Sequence, residues 1–224
     1  MNRLYIIILT LLFGNLFVSH AQLSGQGTWN KTTIDASTSP DTTNPVIELT
    51  GDINQKGCIT IEDGYTLTIR NVSGRELLVH KNFNDSYVFY VKAGGGLIIE
   101  GTSDSERIVL DCGANFIWND DYSFSVGSGT SRGTTDGIFT AGTLSLNYVT
   151  IRNYKNNSSY RGAIQVQPST GPTDIDHCII ENCQSGAGAA IMIHKGDVQD
   201  SESCRISVSN SVIRRCLTDR KSVV

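Results

Sequence analysis

Three stretches of the chain, 146–154, 175–183 and 208–216, can be laid over one another. In that alignment Leu146, Ile175 and Val208 share one position, and Val149, Cys178 and Ser211 share the next. Ile151, Ile180 and Ile213 share a third position, and Asn153, Asn182 and Arg215 a fourth. The isoleucine recurs after 29 residues (151 to 180) and then after 33 (180 to 213). A period of roughly 20 to 50 residues marks a solenoid, because a unit this short buries its apolar face only against stacked neighbours. The repeat therefore constrains the architecture and leaves the activity open.

The rest of the chain has the matching texture. From Val46 onward, short β-rich runs at 46–49, 58–61, 65–69, 77–80, 87–91, 97–99 and 107–110 are separated by Gly, Asn and Asp. Apolar residues recur with period two inside each run, as a strand with one buried face requires, and helical periodicity is absent after the first segment. From Ile138 each unit reads as a strand ending at an Asn or Arg turn, a Gly-rich link, and a second strand, at 162–166 and 189–193. The stretch 112–137, with Trp118, Asn119, Asp120, Asp121 and a Ser/Gly/Thr-rich run, breaks the rhythm and is expected to be a loop.

Stacking such units has consequences for particular residues. Ile151, Ile180 and Ile213 would form an inward aliphatic ladder with β-branched shapes suited to pleated packing. Asn153 and Asn182 would stack at a turn, where Asn tolerates left-handed dihedrals and its amide can bond along the stack. Arg152, Glu181 and Arg214 would face outward with alternating sign, which disfavours slipped register. Cys183 and Cys216 hold equivalent positions; stacked strands about 4.8 Å apart put their Cα atoms within disulfide range. Side chains stacked in parallel seldom aim at one another well enough to bond. A bridge and a buried thiol stack both stay open, the stack being the plainer reading. The expectation is an all-β, single-stranded parallel β-helix over 46–224 of roughly six coils, with 22–45 as a polar leader or N-terminal cap. The chain stops eight residues after Cys216, part-way round a coil and with no polar closing segment. A truncated C-terminus is expected on that ground, with any active site on coils beyond it.

The first 21 residues read as a secretory signal. Asn2 and Arg3 precede an apolar run at 4–18, and Ser19-His20-Ala21 places small residues before Gln22. That run is short of the roughly 20 residues a membrane span needs, and no later segment is long enough. The implied location is outside the cytoplasm, secreted or in a cell envelope, with no membrane span once the signal is removed. Removing Arg3 takes the formal charge from −4 to −5, and a mildly acidic chain has no footprint for nucleic acid. Six cysteines, at 58, 112, 178, 183, 204 and 216, lack the density of a disulfide-stapled domain. None has zinc spacing, so no metal site is assigned.

The pattern Leu144-x-Leu146-x-x-Val149-x-Ile151-x-Asn153 followed by Gly162-Ala163-Ile164 resembles the right-handed parallel β-helix superfamily. Gly64-x-x-Leu67-x-Ile69 and Gly95-Gly96-Leu97-Ile98-Ile99 are similar to the opening coils of such proteins. The likeness covers about residues 46–217. It implies a right-handed, pectate-lyase-like coil and a bacterial origin. The superfamily holds polysaccharide-degrading enzymes, and also non-catalytic adhesins and polymorphic outer-membrane proteins with Gly-Gly-Ala-Ile repeats. Arg161 and Ala190 depart from that last motif.

Catalytic chemistry has few footholds. Asp136, in Thr135-Asp136-Gly137-Ile138, resembles the Asp-bearing segment of polygalacturonases. The following coils supply Asp174, Asp176 and His177 instead of the Asp-Asp and Gly-His-Gly those enzymes use. An Asp before Gly is also an ordinary turn residue. His177 beside Asp176 has the makings of a general base, and His194 stands near Lys195, but neither has a nucleophile at recognisable spacing. Calcium takes six to eight oxygen ligands, and Asp174, Asp176 and Glu181, or Asp197, Asp200 and Glu202, would supply some; solvated loop acids are the plainer reading, and no cofactor is assigned. Trp118 and Tyr122 are the aromatic candidates for stacking on sugar rings, Trp29, Tyr154 and Tyr160 lesser ones. The leading expectation is an exported, non-catalytic β-helix of adhesin type, recognising a polysaccharide or cell-surface glycan along its side. The alternative is a polysaccharide lyase or glycoside hydrolase acting on an acidic polysaccharide.

Overall fold

The computed structural model describes residues 23–39, 42–83, 87–114, 137–156, 161–167, 171–186, 188–193 and 204–218, and the backbone of two short strands at 116–118 and 124–126. All of its regular structure is β. In chain order the strands are β1 (Gly27–Trp29), β2 (Thr32–Ile34), β3 (Val46–Leu49), β4 (Ile53–Gln55), β5 (Ile59–Ile61), β6 (Thr66–Asn71), β7 (Leu77–Lys81), β8 (Phe89–Val91) and β9 (Gly96–Glu100). There follow β10 (Ile108–Asp111), β11 (Phe116–Trp118), β12 (Phe124–Val126), β13 (Ile138–Thr140), β14 (Thr143–Asn147) and β15 (Val149–Asn156). The last are β16 (Ile164–Val166), β17 (Thr173–Asp176), β18 (Ile179–Ser185), β19 (Ile191–Ile193), β20 (Ile206–Ser209) and β21 (Val212–Thr218).

These strands form three parallel sheets running the length of the coil. The first has seven strands, β1-β4-β7-β10-β15-β18-β21; the second is β2-β5-β8-β13-β16-β19 and the third β3-β6-β9-β14-β17-β20. Setting aside the antiparallel hairpin β11-β12, every third strand returns to its own sheet, which is a β-solenoid. About five turns separate the first strand of each six-stranded sheet from the last, roughly 24 Å at about 4.8 Å per strand spacing.

Register follows the side-chain pattern. In the first sheet Ile53 pairs with Val79, Val79 with Leu110, Leu110 with Ile151, Ile151 with Ile180, and Ile180 with Ile213. The second sheet stacks Ile34, Ile61 and Val91, and the third stacks Ile69, Ile99, Leu146 and Ile175. These residues fill the tube, and all but Ile213 are buried. A one-residue slip would turn every such column to solvent, so burial of one face fixes register around the whole coil. The first turn also carries Trp29, fully buried, with its indole N–H donated to Ser24 O at 2.7 Å. At the other end Ile193, Val208 and Ile213 are about half exposed, because β19, β20 and β21 are the last strands of their sheets.

Two sets of left-handed residues set the corners. Tyr148, His177 and Asn210 have φ of 50°, 49° and 48°, and each separates a third-sheet strand from the first-sheet strand that follows. Asn153, Asn182 and Arg215 have φ of 59°, 55° and 52°. Where turns approach closely, only glycine fits: a Cβ on Gly142 would run into the carbonyl oxygen of Gly95 on the preceding turn.

The structure differs from the sequence reading in several places. The runs 146–154, 175–183 and 208–216 are each two strands joined at a corner, because the left-handed residue at 148, 177 or 210 turns the chain without any Gly or Pro to mark it. Asn153, Asn182 and Arg215 do not end their strands; pairing resumes beyond them, as in Tyr154 with Cys183 and Cys183 with Cys216. The left-handed residue is a kink inside the strand. Residues 22–45, expected as a polar leader or N-terminal cap, include β1 and β2, which pair with β4 and β5. The stretch read as a loop at 112–137 contains the hairpin β11-β12.

Candidate functional site

Strand β17 alternates, with Thr173 and Ile175 buried while Asp174 and Asp176 point out. Two carboxylates two residues apart on one face lie roughly 6.6 Å from each other by strand rise, a separation at which glycosidase carboxyl pairs work. Their surroundings limit Asp176 to the ionised member of such a pair. Asp176 accepts hydrogen bonds from Ser209 Oγ at 2.8 Å and Asn210 Nδ2 at 2.9 Å, both on the next turn, and its other oxygen lies 2.9 Å from His177 Nδ1. These partners, Ser209 foremost, favour the ionised form and hold its carboxyl at about 2. A group that ionised has no proton to give at neutral pH.

His177 is placed by the corner. Its left-handed backbone turns the chain, and its ring stacks on Tyr148 of the preceding turn, centroids 4.7 Å apart at 23°. Its carbonyl accepts from Arg107 Nη1 at 2.5 Å, and the Arg107 guanidinium carbon lies 5.7 Å from the Tyr148 ring centre. Arg107 is itself largely buried and ion-paired with Asp104. The neighbouring thiol gives no nucleophile: Cys178 Sγ lies 3.2 Å from Asp176 O, and burial pushes its pKa up to about 11. Asp174 lines an open cleft of about 320 Å³ with Pro172, Cys204, Arg205, Ile206 and Ser207. Burial raises the Cys204 thiol as well, so it gives the cleft no activated thiolate.

The other sequence-selected residues fall in the first sheet. Ile151, Ile180 and Ile213 lie one above another. Arg152 pairs with Asp111 at 3.1 Å and Arg214 with Glu181 at 2.6 Å. Asn153 does not bond along an Asn stack; its Nδ2 donates to Asp111 at 3.2 Å, and the Oδ1 of Asn182 is buried with no hydrogen-bond partner. The reason is rotational: the Asp111 carboxylate sits within reach on the turn before. Asp174 and Asp176 lie on the third sheet and Glu181 on the first, past the corner. Among the described residues, no three His, Cys, Asp or Glu side chains are close enough together to hold a metal ion, and no helix is long and apolar enough to cross a membrane. Asp136, Tyr122, His194, Asp197, Asp200 and Glu202, the 1–21 segment, and the side chain of Trp118 lie outside the described residues.

An aromatic patch that sequence reasoning missed stands on the outer face of the second sheet. Phe139 pairs in register with Tyr90, and their rings stack at 4.8 Å and 13°. Tyr87 lies against both, at 5.6 Å from Tyr90 and 5.2 Å from Phe139. The Tyr87 hydroxyl donates to Gln165 Oε1 at 3.3 Å two turns on, and the Arg161 guanidinium sits 5.1 Å above the Tyr87 ring. Phe139 is buried at the centre while both tyrosines remain partly exposed. The patch was hidden because the 112–137 insertion separates Tyr90 from Phe139 by 49 residues, destroying the period that would have aligned them.

Elsewhere, charge ties one turn to the next. Arg70 pairs with Glu100 at 3.0 Å, Lys92 with Glu62 at 2.7 Å, and Arg75 with Asp52 at 3.2 Å. These carboxylates are distributed around the coil and do not converge in one cleft. No family model, curated protein or solved structure matches the chain.

Proposed function

We propose that this chain is an exported, non-catalytic member of the right-handed parallel β-helix superfamily, of adhesin type, that binds glycans on the outer face of its second sheet. The observation that supports the reading most directly is the Tyr87–Tyr90–Phe139 patch with Gln165 and Arg161 beside it. Tyrosine edges and hydroxyls with an adjacent amide and guanidinium suit a sugar, which presents both C–H faces and hydroxyls. The sequence running into β13 carries Trp118 and Tyr122, which the same reading assigns to that ligand.

The second reading, a lyase or glycoside hydrolase for an acidic polysaccharide, keeps one observation in its favour: Asp174 and Asp176 share an outer face. The low pKa of Asp176 fits it for the base or nucleophile of such a pair and not for the acid. A glycan array, run with reducing-sugar and unsaturated-product assays on acidic polysaccharides, separates the two. Binding without product release, lost in Tyr90→Ala with the fold intact, is the expected result. Product release abolished by Asp174→Asn would replace the binding reading with the enzymatic one.

A further inference from the structure

We infer that Cys183 and Cys216 are a disulfide-forming pair that pins β21 to β18 on the turn before it. All six cysteines are reduced in the structure, with no disulfide among them. Cys183 and Cys216 are the pair that strand register brings face to face, on β18 and β21. Both follow a left-handed residue, Asn182 and Arg215, so the kink that precedes each side chain is the same. The Cys216 side chain reaches back toward β18: its Sγ lies 3.6 Å from Ile180 O. In-register strands about 4.8 Å apart put the Cα atoms inside the range a disulfide spans. Cys112 lies beyond the intervening β15, Cys178 sits at the corner by Ser211, and Cys204 lines the Asp174 cleft.

Access and reactivity favour a defined order of events. Cys183 is buried, and burial holds its thiol in the protonated form. Cys216 is only partly buried, in a turn whose Ile213 and Leu217 are 49% and 36% exposed, and contact with the Cys183 thiol favours its thiolate. The Cys216 thiolate attacks one sulfur of an external disulfide and expels one thiolate, leaving a mixed disulfide. Deprotonated Cys183 then attacks Cys216 Sγ and expels the second. Two protein thiols are oxidised, one external disulfide is reduced to two thiols, and two protons pass to those products. Among the described residues β21 pairs with β18 alone, so a covalent tie between them reinforces the one strand contact that holds it.

The test uses the full chain incubated with oxidised glutathione, then alkylated in denaturant and weighed intact. Four alkylated cysteines are expected, against six after reduction. Trypsin with cleavage after Glu181 separates Cys178 from Cys183, and the expected non-reduced product joins peptide 182–195 to 216–220. Cys216→Ser should leave all five remaining thiols open to alkylation. Six alkylated thiols in the oxidised wild type, or a bridge through any other cysteine, would overturn the assignment. The readout is independent of glycan binding, so either proposal can fail alone.

Discussion

Replacing single isoleucines along the inner column of the first sheet measures how the tube is held together. Ile180 is 1% exposed and lies between Ile151 and Ile213, whereas Ile213 is 49% exposed with a partner on one side. Ile180→Ala removes three carbons, about 2.4 kcal/mol of transfer free energy at about 0.8 per methylene. A closed cavity adds to this, for a total of about 3 to 4 kcal/mol. Ile213→Ala forfeits about half the transfer component, near 1 kcal/mol, and opens no closed cavity because water already reaches the site. Ile151→Ala should match Ile180→Ala, since Ile151 is as deeply buried. Urea unfolding followed by far-ultraviolet circular dichroism reads these differences, with an unchanged m-value certifying that the same cooperative unit melts. If Ile180→Ala and Ile213→Ala cost the same within about 0.5 kcal/mol, the column is not a stack of nearest-neighbour rungs and the argument from register fails.

Two further outcomes follow from the corners. With its carboxyl at about 2 in the folded chain against about 3.9 unfolded, Asp176 contributes stability that is complete above about pH 4 and is lost as pH falls toward 2. Asp176→Asn should therefore flatten the acid limb of a stability–pH curve in that window and leave the slope between pH 6 and 8 unchanged; an unaltered acid limb would contradict the bonding to Ser209 and Asn210. At Asn182, with φ of 55°, Ala should cost about 1 kcal/mol for left-handed backbone and Gly less than Ala, since the buried amide oxygen has no partner to lose. Thermal melts of the two variants check the order, and a more stable Ala variant would refute it.

The architecture was legible because three turns keep the same chemistry at the same step. Isoleucine at 151, 180 and 213 lines up by eye and pairs in the structure, and residues 152, 181 and 214 share a register, though only Glu181 and Arg214 form an ion pair while Arg152 turns to Asp111. What escaped notice was local. A corner at Tyr148 or His177 carries no sequence signature, because an ordinary L-residue is held left-handed there by tertiary stacking against the usual preference. β1, β2 and β4 have three residues each, too few for alternation to register against the polar residues around them. The aromatic patch needed the register itself, which the inserted hairpin concealed. The carboxylates of β17 were visible from the sequence, but not the hydrogen bonds from Ser209 and Asn210 that fix the charge of one of them.

The spacing between stacked residues in the first sheet is 26 from Ile53 to Val79, then 31 to Leu110, 41 to Ile151, 29 to Ile180 and 33 to Ile213. Contour length per lap thus varies by more than half while the strand columns keep their register. The residues in excess fall between strands, most of all between β10 and β13, and β7, β10 and β15 remain paired across them. Such a scaffold tolerates insertion there: a longer segment between β10 and β13 would leave those load-carrying columns stacked as before.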